Sequence, residues 1–161
     1  MNNQLIATPI GWLNVFADHH AVCVITFDAD PDATQSPNAV TEQCCQQLAE
    51  YFAGERTVFD VPLSAQGTAF QHTVWQALQA LDYGAICSYA DIAHTIDNPK
   101  AVRAVGAANG KNPIPIIVPC HRVIGSSGKL TGYAGGLDKK VWLLDHEKRV
   151  AQDDTDTRRM P

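Results

Sequence analysis

Strand-like alternation of apolar residues opens this chain and helical spacing closes it, and the change of period falls at Pro62-Leu63-Ser64-Ala65-Gln66-Gly67. Two different packed layers are therefore required. On the first side, Ile6-Ala7-Thr8-Pro9-Ile10 and Trp12-Leu13-Asn14-Val15-Phe16 alternate apolar with polar positions, Asp18-His19-His20 reads as a turn, and Val22 to Phe27 resumes the pattern. At least one β-hairpin is predicted. Residues 28–38 read as a loop, 39–53 as a helix ended by Gly54, and Thr57 to Val61 as a returning strand, giving a small sheet with one helix on it.

On the second side, Phe70, Val74, Ala77, Leu78 and Leu81 form a helical stripe with Gly84 as its stop. Ser88 with Asp91 three positions on starts a second helix in the manner of a capping box. Asn98-Pro99 predicts a third, with asparagine as cap and proline at the first helical position. Two short helices around so tight a turn match a helix-turn-helix, a unit that places its second helix in a DNA groove and also occurs as plain packing. An amphipathic helix from Asp138 to about Lys148 follows. The expected organisation is an N-terminal α/β domain over 1–67, a mostly α domain over 68–150 and a disordered polar tail over 151–161.

Net charge is −5 overall, but it is unevenly placed. Residues 1–67 carry Arg56 against eight acidic side chains, while residues 68–150 carry nine basic against six acidic. An anionic partner would meet the second half. No apolar stretch is long enough to span a bilayer, and Met1-Asn2-Asn3-Gln4 lacks the basic start of a signal peptide, so a cytoplasmic protein is expected. Five cysteines without metal-ligand spacing suit reduced thiols.

One of the five stands apart. Pro119-Cys120-His121-Arg122-Val123 sets a thiol beside two basic side chains, and nearby positive charge favours the reactive thiolate. The plain alternative is a buried cysteine capping the apolar run Ile116-Ile117-Val118. Gly125-Ser126-Ser127-Gly128-Lys129 is no phosphate loop, since Val123 and Leu130 stand where that motif needs glycine and a hydroxyl residue.

Tyr89, Arg103, Asn112, Pro119 to Val123, Gly132-Tyr133-Ala134-Gly135-Gly136 and Leu143-Leu144-Asp145-His146-Glu147, in this order, resemble the 6-O-alkylguanine-DNA alkyltransferase family through roughly residues 68–148. The resemblance implies a ribonuclease H-like N-terminal domain and single-turnover repair, in which the alkyl group of 6-O-alkylguanine, and of 4-O-alkylthymine, moves irreversibly to the protein. Cys120 matches the alkyl acceptor, His121 the base that takes its proton through a water, Glu147 the carboxylate that orients His121, and Asn112 the brace beside the thiol. Tyr89 matches a donor to the departing guanine. Arg103 matches the finger that fills the gap left by a flipped nucleotide, with Lys100, Ala104, Ser88 and Arg122 as further candidate DNA contacts. Val123, Tyr133, Ala134 and Gly135 are the candidate pocket.

The likeness implies no cofactor, no metal, no membrane and no obligatory protein partner; a monomer acting on alkylated double-stranded DNA is the default. Ala134 stands where some relatives carry serine, which leaves backbone bonding in place and widens room for larger groups. No cysteine-rich domain for methyl phosphotriesters lies in the chain, so a second role in transcription is not expected. Two other readings use parts of the same set. A sequence-specific regulator would use the helix pair and leave Cys120 structural, and a cysteine hydrolase would use the Cys-His-Glu set with turnover but leave Arg103 without purpose.

Overall fold

The computed structural model describes residues 1–159, in two compact units. One comprises Met1–Gly67 with Pro113–Ile117; the other comprises Thr68–Asn112 and the chain from Val118 onward.

The first unit is a three-stranded antiparallel sheet of β1 (Asn2–Thr8), β2 (Gly11–Ala17) and β3 (Val22–Thr26), in that order. Gly11 takes φ 101 at the first turn, which a side chain would resist. Leu13, Val15, Val22 and Ile25 are buried, as are Cys44, Cys45, Leu48 and Tyr51 of α1 (Ala39–Phe52). Asn38 and Thr41 close a reciprocal capping box at the start of that helix.

Thr57 to Val61 does not form the expected strand. Side chains have taken its backbone groups: Arg56 Nη1 donates to the Val58 carbonyl at 2.8 Å, and the Asp60 N–H donates to Gln47 Oε1 at 3.1 Å. Chain pairing resumes only where the Val22 N–H donates to Pro62 O and Ser64 N–H to Val22 O.

The second unit holds α2 (Ala69–Gln79), β4 (Cys87–Ser88), α3 (Tyr89–Thr95), α4 (Val102–Gly110), a 3-10 turn (Cys120–Arg122), β5 (Val123–Ile124) and α5 (Leu137–Arg159). Val74, Trp75, Leu78, Ile92, Ala93, Val105 and Leu143 are buried in it, and Trp75 Nε1 donates to the Ala108 carbonyl at 2.9 Å. β4 and β5 pair in parallel, Cys87 with Val123 and Ser88 with Ile124.

Three boundaries differ from expectation. α2 ends at Gln79, and Gly84 instead takes φ 80 in the turn that follows. α4 begins at Val102 with no side-chain cap, because Asn98 serves the helix before it: its N–H donates to Ala93 O and Asp97 N–H to His94 O, with Asp97 left-handed at φ 59. This is a Schellman closure with aspartate in the glycine position, so Asn98-Pro99 ends α3 rather than starting α4. Besides these boundaries, the run Ile116-Ile117-Val118 turns, with Ile116 at φ 75. Finally, α5 continues through Arg159, correcting the disordered tail expected from 151; no glycine or proline interrupts it before Pro161, and Met160 and Pro161 lie outside the described residues. No helix among the described residues is long and apolar enough to cross a membrane.

Candidate active site

Pro119, at φ −81 and ψ 64, forms an inverse γ-turn in which the Cys120 N–H donates to the Val118 carbonyl at 2.8 Å. The proline ring fixes φ, so the turn that presents the thiol is set by local sequence. The Asn112 side-chain amide donates to the same Val118 carbonyl at 2.8 Å, and it also hydrogen-bonds the Cys120 thiol. Asn112 thereby holds both the thiol and the turn before it.

Burial pushes the Cys120 thiol up to about 11, against smaller lowering effects from Asn112 and from the charge of Lys140. Cys44, Cys45 and Cys87 are raised similarly, to about 12, 11 and 11. Acidity at rest therefore does not distinguish Cys120 from the other raised thiols, and a base beside it would be needed to ionise it at neutral pH. Labelling of Cys120 by iodoacetamide in the free protein is expected to be slow at neutral pH and to rise towards pH 11. Peptide-level mass spectrometry checks this, and complete labelling at neutral pH would contradict it. Because the unfolded chain sheds this proton first, near 9.0, the same shift withdraws stability as pH climbs from 9.0 towards about 11.

The neighbouring imidazole is fully buried. His121 Nε2 lies 2.6 Å from Glu147 Oε2, and burial lowers the His121 pKa further than the carboxylate raises it, so the ring is neutral at pH 7. A neutral ring facing a carboxylate must place its proton on Nε2. Nδ1 then carries the lone pair, and it is buried without a hydrogen-bond partner among the described residues. Burial on its own would raise the Glu147 carboxyl, but the His121 hydrogen bond and the Arg122 guanidinium outweigh it and hold the group far below its ordinary range.

Arg122, a candidate DNA contact by sequence, turns inward. Its Nε donates to Glu147 Oε1 at 2.8 Å, Nη2 to Glu147 Oε2 at 3.2 Å and Nη1 to the Leu81 carbonyl at 2.8 Å, and the guanidinium lies 5.5 Å from the centre of the Tyr83 ring. With both edges engaged and 6% of its surface exposed, it is a clamp on the carboxylate. The Gly84 N–H also donates to Glu147 Oε1, at 3.3 Å. His146, next to Glu147 in sequence, turns away and stacks on Trp142 at 4.7 Å.

Lys140, unmarked by any sequence motif, is 0% exposed. Its ammonium donates to the Val123 carbonyl at 2.7 Å and the Thr131 carbonyl at 3.1 Å, joining the strand after the acceptor to the loop before Tyr133. Burial lowers its pKa, and the Cys120 thiolate would raise it. Among the described residues no carboxylate pairs with it. Val123 is buried, Ala134 is exposed, and Gly135 and Tyr133 are half-buried, with the Tyr133 hydroxyl itself inside.

Tyr89 opens α3 directly after the Ser88 cap, whose Oγ accepts from the Asp91 N–H at 3.0 Å while Asp91 Oδ2 accepts from the Ser88 N–H. A Cβ built on Gly106 of α4 would sit 3.9 Å from Tyr89 Cδ1, so the small-residue helix lies close along the ring. Lys100, Arg103 and Ala104 are exposed, and Val102, Ala107 and Gly110 of α4 are exposed with them. A long cation thus stands on an otherwise short-side-chained helical face, suited to close approach to a phosphate backbone.

Comparison with known proteins bears on both units. Residues 69–149 match the family described as 6-O-methylguanine DNA methyltransferase, DNA binding domain, and residues 1–65 match its ribonuclease-like domain. A methylated-DNA–protein-cysteine methyltransferase of Mycolicibacterium paratuberculosis is 57% identical over 116 residues, 72% of this chain and 70% of the relative. One of Methanosarcina acetivorans is 46% identical over 153 residues, 91% of this chain and 98% of the relative. The crystal structure of Mycobacterium tuberculosis OGT in complex with DNA is 45% identical and superposes with TM-score 0.85 over 93% of this chain and 94% of that one.

Proposed function

The chain belongs to the 6-O-methylguanine DNA methyltransferase family, both of whose domains it carries in order, and we propose that Cys120 is the cysteine on which its chemistry ends. It is a methylated-DNA–protein-cysteine methyltransferase that binds DNA and repairs it by direct reversal. The observation that carries the assignment of residues is the unpartnered His121 Nδ1, fixed as a lone pair by Glu147 and adjacent in sequence to a protonated, buried thiol.

The alkylated oxygen of guanine is out of reach inside a stacked duplex, so the nucleotide rotates out at a cost of a few kcal/mol, less for a poorly paired base. Arg103 occupies the space left in the stack. His121 Nδ1 takes the Cys120 proton through a bridging water, the sulfur attacks the alkyl carbon, and the carbon–oxygen bond breaks with its electron pair passing to guanine. Tyr89 donates to the departing ring, and Glu147 stabilises the imidazolium. A thioether remains. No neighbouring group can cleave it, so each molecule acts once. The same displacement serves 4-O-alkylthymine.

Five free thiols suit a reducing compartment, which supports a cytoplasmic location, and a chemistry completed within one unit supports a monomer. Intact-protein mass spectrometry after incubation with an oligonucleotide bearing 6-O-methylguanine tests the assignment. Wild type should gain one methyl group, located on Cys120 by fragmentation, and Cys120→Ser should gain none while still binding the lesion. Methylation of another cysteine, or of the Cys120→Ser variant, would sink it.

A further inference from the structure

Tyr89 Oη and Thr131 Oγ1 lie 2.7 Å apart, joining side chains 42 positions distant in sequence. No motif contains Thr131. Its main chain is fixed independently, because the Lys140 ammonium that holds the Val123 carbonyl also holds the Thr131 carbonyl at 3.1 Å. The Tyr89 main chain is fixed by the Ser88–Asp91 cap at the start of its helix, and Gly106 lies beside its ring. Of the whole tyrosine side chain, the hydroxyl is thus the part that Thr131 governs.

We propose that Thr131 is a positioning residue for alkyl transfer: it donates its hydroxyl proton to Tyr89 Oη and so leaves the tyrosine proton for the departing guanine. This rests on the role given to Tyr89 above. The direction of the bond follows from counting protons. A hydroxyl has one to give, and Tyr89 cannot spend its own on both Thr131 and the base. When the base arrives as an acceptor, the arrangement that satisfies every group runs from Thr131 to Tyr89 to guanine. Accepting a hydrogen bond also polarises the phenol and strengthens it as a donor. As sulfur bonds to the alkyl carbon and the carbon–oxygen pair moves into the guanine ring, negative charge spreads to Tyr89 Oη. The Thr131 donor meets that charge. The thiol proton held by His121 balances the one given to guanine, once solvent returns it to the tyrosine.

Single-turnover rate constants at saturating 6-O-methylguanine oligonucleotide test this with Thr131→Val, Thr131→Ser, Tyr89→Phe and the Thr131→Val/Tyr89→Phe pair. Thr131→Val should slow transfer by about 3- to 10-fold, the worth of one hydrogen bond, with DNA affinity unchanged. Thr131→Ser should restore the rate to within about twofold. In the Tyr89→Phe background, Thr131→Val should cost nothing more. A purely structural role would instead slow transfer equally in both backgrounds, and that result overturns the proposal. So does a Tyr89→Phe variant that is slow beside a Thr131→Val variant that is not. A Tyr89→Phe variant at the wild-type rate removes the tyrosine reading and this one together. Thr131→Ala replaces the valine variant should the latter not fold.

Discussion

Glu147→Gln is expected to cost about 3–5 kcal/mol of folding stability and to slow alkyl transfer by about 10²- to 10⁴-fold. Both effects come from one carboxylate, which is buried and accepts from His121, twice from Arg122 and from Gly84. The stability loss arises because Arg122 stays buried without a counter-charge. The rate loss arises because an amide no longer fixes the imidazole proton on Nε2 or stabilises the imidazolium. Replacing both partners, with Arg122→Met and Glu147→Leu, should recover much of the stability and none of the rate, since an apolar pair of similar volume suits a buried site but cannot orient a base. Urea titration and single-turnover kinetics on the same preparations separate the two. The stability gap between wild type and Glu147→Gln should also depend on pH in one direction. With the folded pKa held below 4.5, the Glu147 contribution is complete above that value and fades as pH falls below it. A gap that stayed constant into acid would show that the carboxylate charge is not what stabilises the fold.

The network explains what the sequence disclosed and what it concealed. The Asn112 brace and the His121–Glu147 pair were legible because a motif of defined order names those residues, and the Ser88–Asp91 cap because capping is a local interaction. The helix pair was legible from its capping box and tight turn, but not the start of α4, since the Asn98 N–H is used across the turn. The inward placement of Arg122 was hidden for a related reason. A cation beside a reactive cysteine and on a basic half-chain points to the thiol or to DNA, while its actual partners, Leu81 and Glu147, are 41 and 25 positions away. Thr57 to Val61 has strand composition, yet Arg56 and Gln47 occupy its backbone groups. Lys140 and Thr131 were invisible altogether. Each acts through backbone carbonyls or a single hydroxyl, contacts that leave no preference for neighbouring residue types.

Lys140 supplies the second large effect: Lys140→Met should leave stability within about 1 kcal/mol of wild type and slow transfer on the order of 10²-fold. An ammonium buried without a carboxylate is ordinarily unfavourable, and its two carbonyl contacts only partly offset the loss of water. Methionine fills the same volume, removes the charge and leaves two carbonyls less well satisfied, so gains and losses of stability are of similar size. The chemistry has no such compensation. At rest the thiol is neutral and, among the described residues, no carboxylate pairs with the cation; the thiolate forming at Cys120 is an anion it can meet, and its charge favours protonated Lys140 just as Lys140 favours it. A positive charge placed before the reaction therefore stabilises the state in which sulfur attacks more than the state in which it waits. The expected signature is a slowed single-turnover step with a Cys120 thiol titrating higher in Lys140→Met than in wild type, at nearly unchanged melting temperature. If the variant lost rate and stability in proportion, Lys140 would be a strut between β5 and the Thr131 loop, and its charge would have no part in activating the sulfur.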